Sequence, residues 1–310
     1  MAKIHFIVNP QRPSIGLRWP YEEKKIEALT QDFKVHITRG RLHAEILCRK
    51  AVEEGAKLIV SVGGDSTLSE VINGLYRASL GGRPIPALTF YPELKQGDFV
   101  RSIQLRNSFT EFLEAFLSNS AIEESIDLGE VEFTGDYGQK VRRFFVNCAG
   151  IGFSSVIVGK LASNYKIKRS KWNYLKMMSR VLPFYRHPEV DIFIDDQKVF
   201  SQQEILTALI HNGKTAAHGI ELSPDSEIND GKLEVTVIEK VMTYRYLFGL
   251  LPVLAGKLQS LRFVHHQSGK SIRAVPSQKS KKVRLDWDGD IWGFLPAEFR
   301  ILERGLKLVR

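Results

Sequence analysis

The residues best suited to chemistry lie in one short stretch, residues 57–75, KLIVSVGGDSTLSEVINGL. Residues 58–62 are a run of apolar and β-favouring side chains, the pattern of a strand covered on both faces. Gly63-Gly64 follows, and glycine lets a backbone turn sharply and approach a ligand closely. Thr67 and Glu70 have capping-box spacing, which predicts a helix opening near Thr67. The first amides of such a helix lack partners and carry partial positive charge, so they suit a phosphate. Asp65 stands at the mouth of the turn, where a carboxylate can hold Mg2+ through water. The same residues also fit an ordinary strand-turn-helix with Asp65 or Thr67 as its cap. The spacing is neither GxGxxG nor a Walker loop, because no Gly-Lys-Ser/Thr follows.

The flanking pattern must position this turn. A strand over 3–8 ends at Asn9-Pro10, and a helix is predicted over 21–31 with Pro20 near its first turn. A second strand, 33–38, ends at Thr38. A helix over 42–54 closes at Gly55, and a fourth strand covers 85–91. This alternation predicts a mostly parallel sheet with helices on both faces, an α/β, Rossmann-like domain. Ligands of such sheets sit beyond the carboxyl ends of the strands. Asn9, Thr38, Gly63, Gly64, Asp65 and Pro92 all fall there. In the loop PELKQGDFVR, residues 92–101, Lys95 offers a charge for phosphate.

After an amphipathic helix over 108–117 the pattern changes. Strand-like runs occupy 126–133, 143–148, 190–200, 204–211, 233–238, 261–264, 271–274, 282–287 and 299–309, with helices over 172–184 and 242–257. Many strands and few helices predict an antiparallel, β-sandwich-like second domain. The expected division is 1–122 and 123–310, the last strands packing on either part.

The 310 residues suit two domains, and 43% hydrophobic with 25% charged content is that of a globular protein. Cys48 and Cys148, the only cysteines, sit in apolar patterns and are expected as buried thiols of a reducing compartment. No signal-peptide pattern opens the sequence, and residues 246–255 are too short to span a bilayer, so a cytoplasmic location is expected. A net charge of +9 allows nucleic acid, anionic lipid or phosphate-rich ligands. No zinc spacing, RNP motif or basic heptad helix points to nucleic acid. Lys160, Lys166, Lys168, Arg169 and Lys171, beside Tyr165 and Trp172, read as a solvated face or as a patch for anionic headgroups. The histidines 211, 218, 265 and 266 show no ligand pattern with one another and read as structural or surface residues.

Taken in order, these pieces resemble the diacylglycerol kinase catalytic domain family, which includes bacterial lipid kinases and sphingosine kinases and is distantly related to NAD kinases. GGDST resembles the family's GGDGT, with Ser66 in place of a glycine, and VINGL follows it as in the family. PELKQGDFVR is similar to the family's PxGTxNDFAR: Asp98, Phe99 and Arg101 match, while Leu94, Lys95 and Gly97 depart. Asn147, Gly150, Gly152 and Phe153 resemble the N-x-x-G-x-G-F segment, with Ser154 where Asp is common. Asn212-Gly213, Pro224, Asp230-Gly231-x-Leu233 and Asp288-Gly289-Asp290 resemble later family positions, the last with Asp for Glu.

The resemblance implies ATP-dependent phosphorylation of a hydroxyl on a diacylglycerol-like lipid, with ATP and Mg2+. It assigns the phosphate cradle to Gly63, Gly64, Ser66 and Thr67 and the nucleotide lining to Asn9 and Thr38; Asp65 and Lys95, the latter standing where the family has Thr, complete the expected nucleotide-binding set. Asp65, Asp98 and Asp127 would hold the active-site Mg2+ and Asp230 a structural Mg2+. Asp290 would be the general base, Asp65 a second catalytic group, and the acceptor would lie between the domains. From the residues alone, Asp288-Gly289 reads equally as a hairpin turn. A lipid substrate at a membrane surface, peripheral contact with the inner face of that membrane and a homodimer are further expectations, with no nucleic-acid partner. Two other readings stand beside it: a decayed nucleotide- or lipid-binding protein of the same fold, and an NAD kinase relative.

Overall fold

The structure is a computed structural model and describes residues 3–11, 13–91, 97–103, 109–163, 170–280 and 282–309. The chain forms two compact units. Unit 1 is residues 1–126 with 304–310, and unit 2 is residues 127–303. The division thus falls at 126 rather than 122, and the last residues return to unit 1.

Unit 1 runs β1 (Ile4–Val8), α1 (Pro13–Leu29), β2 (Phe33–Ile37), α2 (His43–Glu53), β3 (Leu58–Val62), α3 (Asp65–Ser79), β4 (Ala87–Phe90), α4 (Asp98–Ser102) and α5 (Phe109–Leu117). The four strands are parallel in the order β4-β3-β1-β2. Residue Leu308 at the chain's end pairs with Leu88 of β4. β1 and β3 are buried at every residue, as expected for parallel strands covered on both faces. Ile4, Phe6, Val8, Leu58, Val60 and Val62 pack with Ile15, Trp19 and Ile26 of α1.

α1 starts eight residues before the predicted start and carries Pro20 in its interior. Pro13 supplies a helix-compatible first residue. Buried Ile15, Trp19, Glu22 and Ile26 share one helical face at i, i+4, i+7 and i+11, and burying that face outweighs the hydrogen bond lost at Pro20. The capping box also does not form. Gly64 is the N-cap of α3, without a side-chain cap. Glu70 instead accepts the amides of Leu42 (2.8 Å) and Ala44 (3.0 Å), capping α2 from a neighbouring helix. Gly74 lets α2 and α3 approach closely, since a methyl group there would meet the Glu45 carbonyl and Cys48.

Unit 2 contains most of β5 (Glu123–Thr134), then β6 (Lys140–Phe145), β7 (Cys148–Gly152), α6 (Phe153–Ala162), α7 (Lys171–Val181), β8 (Glu189–Ile194), β9 (Gln197–His211), the short pair β10 (Thr215–Ala216) and β11 (Ile220–Glu221), β12 (Leu233–Glu239), α8 (Thr243–Leu254), β13 (Val264–Gly269), β14 (Ser271–Pro276), β15 (Arg284–Trp287) and β16 (Asp290–Val309) as far as residue 303. The strands pair antiparallel. One run is β13-β12-β9-β7-β15-β16, and a second is β9-β8-β14-β16. β9 and β16 belong to both runs, and Ile192, Ile210, Val235, Ile272, Leu285, Trp287 and Phe299 fill the core. A helical layer buries Phe153, Ile157, Leu161, Leu182 and Tyr246 on Leu206 of β9.

Three strand predictions shift here. The run 190–200 is two strands, broken at Asp195-Asp196 where both φ angles are positive (47° and 64°); the Asp195 carboxylate accepts the amides of Lys270 and Ser271. The predicted strand 143–148 breaks between β6 and β7. The strand predicted over 261–264 lies at 264–269 instead, because it is an edge strand whose outward residues, His265 to Ser268, are polar and carry no apolar period. Cys48 is buried and Cys148 only partly so; both are free thiols.

Candidate active site

The parallel order β4-β3-β1-β2 reverses direction between β1 and β3, the switch point at which such sheets open a crevice. Polar residues gather on it. Asn9, just after β1, donates from Nδ2 to Thr67 Oγ1 on α3 at 3.0 Å, and its Oδ1 accepts the Gln11 amide. Thr38 is buried and donates its amide to the Val8 carbonyl. Gly63 is required because a methyl group there would collide with the Thr67 side chain. α3 then begins at Asp65 with the amides of its first turn at the strand end, a position suited to phosphate.

The loop before α4 returns to this turn. The Asp98 amide donates to Asp65 Oδ2 at 2.7 Å, and Gly97 lies against Asp65, where a β-carbon would sit 2.6 Å from Oδ1. Two motif aspartates thirty-three positions apart are thereby placed side by side, and Asp98 is buried. Hard carboxylate oxygens on adjacent backbone suit Mg2+, which binds through one or two carboxylates and keeps several waters. Pro92, Leu94 and Lys95 lie outside the described residues, as do Tyr165, Lys166, Lys168 and Arg169.

The remaining motif acids belong to unit 2. Asp127 is buried and accepts the Gly231 amide at 2.7 Å, while its own amide donates to the Ile228 carbonyl. Asp230 accepts the Lys232 amide. Burial raises the Asp230 carboxyl above its ordinary range, and Glu234 and Asp127 add to the rise. Asn212 Nδ2 donates to the Asp127 and Val146 carbonyls. The buried oxygens Asn147 Oδ1 and Asn212 Oδ1 have no hydrogen-bond partner among the described residues. Asp230 and the neighbouring Asp127 are the acids here that could hold a cation.

Asp288 and Gly289 form a turn with positive φ (50° and 83°), and Trp287 pairs with Asp290 across it. The hairpin reading of the sequence therefore holds. The Asp288 carboxylate does further work that sequence reasoning missed: it accepts the amides of Val146 and Asn147, both at 3.0 Å, and of Cys148 at 3.4 Å. It thus bends the chain between β6 and β7. Asp290 is partly exposed at the start of β16.

Asp286 was also missed. It is buried on β15, accepts the Ser154 hydroxyl at 2.6 Å, and has its carboxyl pushed up to about 7 by burial, with Asp288 adding to the rise. Gly150 leaves room for this pair, as a methyl group there would strike both side chains. The signal was an acid between two large apolar residues, Leu285 and Trp287, inside a predicted strand. His211 is buried with its imidazole lowered to about 3 by burial and by His266, so it stays neutral.

The chain thus joins an α/β unit, with acids and a helix N-terminus at its switch point, to a largely antiparallel unit. The model of the diacylglycerol kinase catalytic domain matches residues 3–131, and that of the YegS C-terminal NAD kinase beta sandwich-like domain matches residues 148–310. The chain belongs to the diacylglycerol kinase catalytic domain family, with the C-terminal domain of that description; it is a kinase of a lipid kinase family. It is 27% identical over 287 residues to the diacylglycerol kinase of Bacillus subtilis (strain 168), covering 92% of this chain and 88% of that one. The diacylglycerol kinase of Staphylococcus carnosus is 24% identical over 286 residues, covering 92% and 86%. Among solved structures, a putative diacylglycerol kinase from Bacillus anthracis str. Sterne superposes with a TM-score of 0.74 at 20% identity, covering 99% of this chain and 96% of that one. Yeast NADH kinase complexed with NADH superposes with a TM-score of 0.54 at 13% identity, covering 99% and 82%. These two show a shared fold. None of the described helices is long and apolar enough to cross a membrane.

Proposed function

We propose that this kinase transfers the γ-phosphate of ATP to a hydroxyl group of a diacylglycerol-like lipid. The observation that carries the reading is the hydrogen bonding of Asn9 to Thr67 and of Asp98 to Asp65, which assembles three separate motifs at one strand-end crevice. In this reading the amides of Gly63 to Thr67 hold phosphate oxygens, Asn9 and Thr38 line the nucleotide, and Lys95 adds a positive charge. Asp65 and Asp98 would hold Mg2+, with Asp127 a further acid of the set, and the ion supplies neutralisation of the phosphate charge. Asp127 also accepts the Gly231 amide. Asp230 would hold a second, structural ion. Asp290 orients and deprotonates the acceptor hydroxyl as general base; being one methylene shorter than Glu, it requires its backbone to lie nearer the hydroxyl.

A lipid acceptor is presented at a membrane surface. Trp172, Phe184, Met242, Tyr244 and Phe248 of unit 2 are exposed, and Lys171, Lys176, Arg180 and Arg245 stand among them in the sequence. Aromatic and cationic side chains together suit the headgroup layer of an anionic bilayer. The test is an acceptor screen with labelled ATP and Mg2+, offering diacylglycerol in mixed micelles and NAD in parallel wells. Label in a phosphorylated lipid supports the reading. Label in a dinucleotide, or ATP binding without transfer to any acceptor, overturns it in favour of an NAD kinase relative or a decayed binder.

A further inference from the structure

Strands β1 and β2 of unit 1 carry an unexpected pair among their apolar residues. His5 and His36 are almost fully buried, at 1% and 7% exposure. In the parallel register His5 faces Lys34 and Ile7 faces His36, so His5, Lys34 and His36 share one face of the sheet. Glu54, the C-cap of α2, is on that face too. His5 Nδ1 and His36 Nε2 are 3.0 Å apart, Glu54 Oε2 is 3.9 Å from His5 Nδ1, and the three donor atoms all lie within 4.8 Å of one another. None of these residues takes part in the nucleotide or lipid chemistry above.

The geometry points to a binding site for one zinc-type divalent ion, held by His5 Nδ1, His36 Nε2 and the Glu54 carboxylate, that ties β1, β2 and the end of α2 together. Two imidazoles and a carboxylate are a donor set for Zn2+ rather than for Mg2+, which prefers oxygen ligands. Tetrahedral zinc with bonds of about 2.0–2.2 Å separates its ligand atoms by roughly 3.3–3.6 Å, so small rotations of three side chains suffice. Burial, with His5 and Lys34 contributing, lowers the His36 imidazole to about 4, so it is neutral and able to ligate near pH 7. Glu54 is held ionised chiefly by its hydrogen bond from Lys34. With both rings neutral, this 3.0 Å contact carries one proton, on one of the two facing nitrogens. Binding moves that proton to the far nitrogen of its own ring, with no net release. The remaining cost is Lys34, whose Nζ lies 2.7 Å from Glu54 Oε2 and must give up that partner. Lys50, 4.0 Å from Glu54 Oε1, opposes the ion more weakly.

The experiment is a calorimetric titration of chelator-stripped full-length protein with Zn2+, repeated with Co2+ to read the visible d–d bands of a tetrahedral site. One ion per chain is expected, with a rise in the melting temperature. Glu54→Gln, at a partly exposed position that need not disturb folding, should weaken zinc binding by about tenfold or more, and His36→Gln should abolish the cobalt bands. Lys34→Ala should tighten binding, the opposite sign to the ligand substitutions. His265→Gln with His266→Gln, which removes the surface histidine–glutamate pairs of unit 2, should change nothing. Absence of one-to-one binding, or its loss in the His265/His266 double variant, overturns the proposal, as does weaker binding in Lys34→Ala.

Discussion

The two units use their aspartates differently. In unit 1 the strands are mostly apolar, and Asp65 and Asp98 are brought together at the strand ends by the bond from the Asp98 amide. In unit 2, Asp288 holds three backbone amides, Asp195 holds two and Asp127 holds one. Unit 1 also sets acids on amides, Asp65 on that of Asp98 and Glu70 on those of Leu42 and Ala44, but there they join one element to another around a regular parallel sheet. An antiparallel sandwich with many turns needs carboxylates to satisfy amides where strands break. In unit 2 a motif acid is therefore often evidence of a bend that must be held.

Four perturbations sharpen this contrast. The largest effect is expected from Asp65→Asn, which keeps the hydrogen bond from the Asp98 amide but removes the charge. Phosphoryl transfer should fall by about 10^2–10^4-fold while urea denaturation stays within about 1 kcal/mol of wild type. Asp288→Ala should do the reverse: three backbone amides, two of them buried, lose their acceptor, so stability should drop by about 3 kcal/mol or more, read from the urea midpoint.

Asp286 gives a pH-dependent test. Its carboxyl is raised in the folded protein to about 7 from an ordinary value near 3.8, so the folded state binds the extra proton between those values. Stability conferred by the protonated form is present below about 4 and is lost as pH rises through 7. Asp286→Asn cannot ionise, so its stability relative to wild type should improve by a few kcal/mol between pH 4 and pH 8. A difference that is flat across that range, measured by melts at several pH values, would show that Asp286 does not carry this proton. The smallest effect is at Glu70: Glu70→Ala should cost about 1–2 kcal/mol by exposing the first amides of α2, with transfer activity per folded molecule kept.

Much of this was legible in the sequence. The alternation of buried runs and helical stretches gave the parallel unit, because strands such as 58–62 are apolar throughout and glycine punctuates their ends. The order of the motifs from Asn9 to Asp290 gave the family. What was hidden required partners distant in the chain. Thr67 and Glu70 have the spacing of a local cap, yet each is taken by a tertiary partner, Asn9 and the start of α2 respectively. Pro20 suggested a helix start because the burial of Ile15 and Trp19 cannot be read locally. Ser154 was set aside as a departure from the family pattern; only the fold shows that it donates to Asp286.

In the proposed function, transfer to a lipid depends on the strand-end cluster of unit 1. The most direct measurement is the incorporation of label from γ-labelled ATP into diacylglycerol in mixed micelles, by wild type and by Asp65→Asn at equal folded concentration. Wild type should give a labelled lipid product and the variant almost none. Equal labelling by both proteins, or no labelled lipid from wild type that binds ATP, would contradict it.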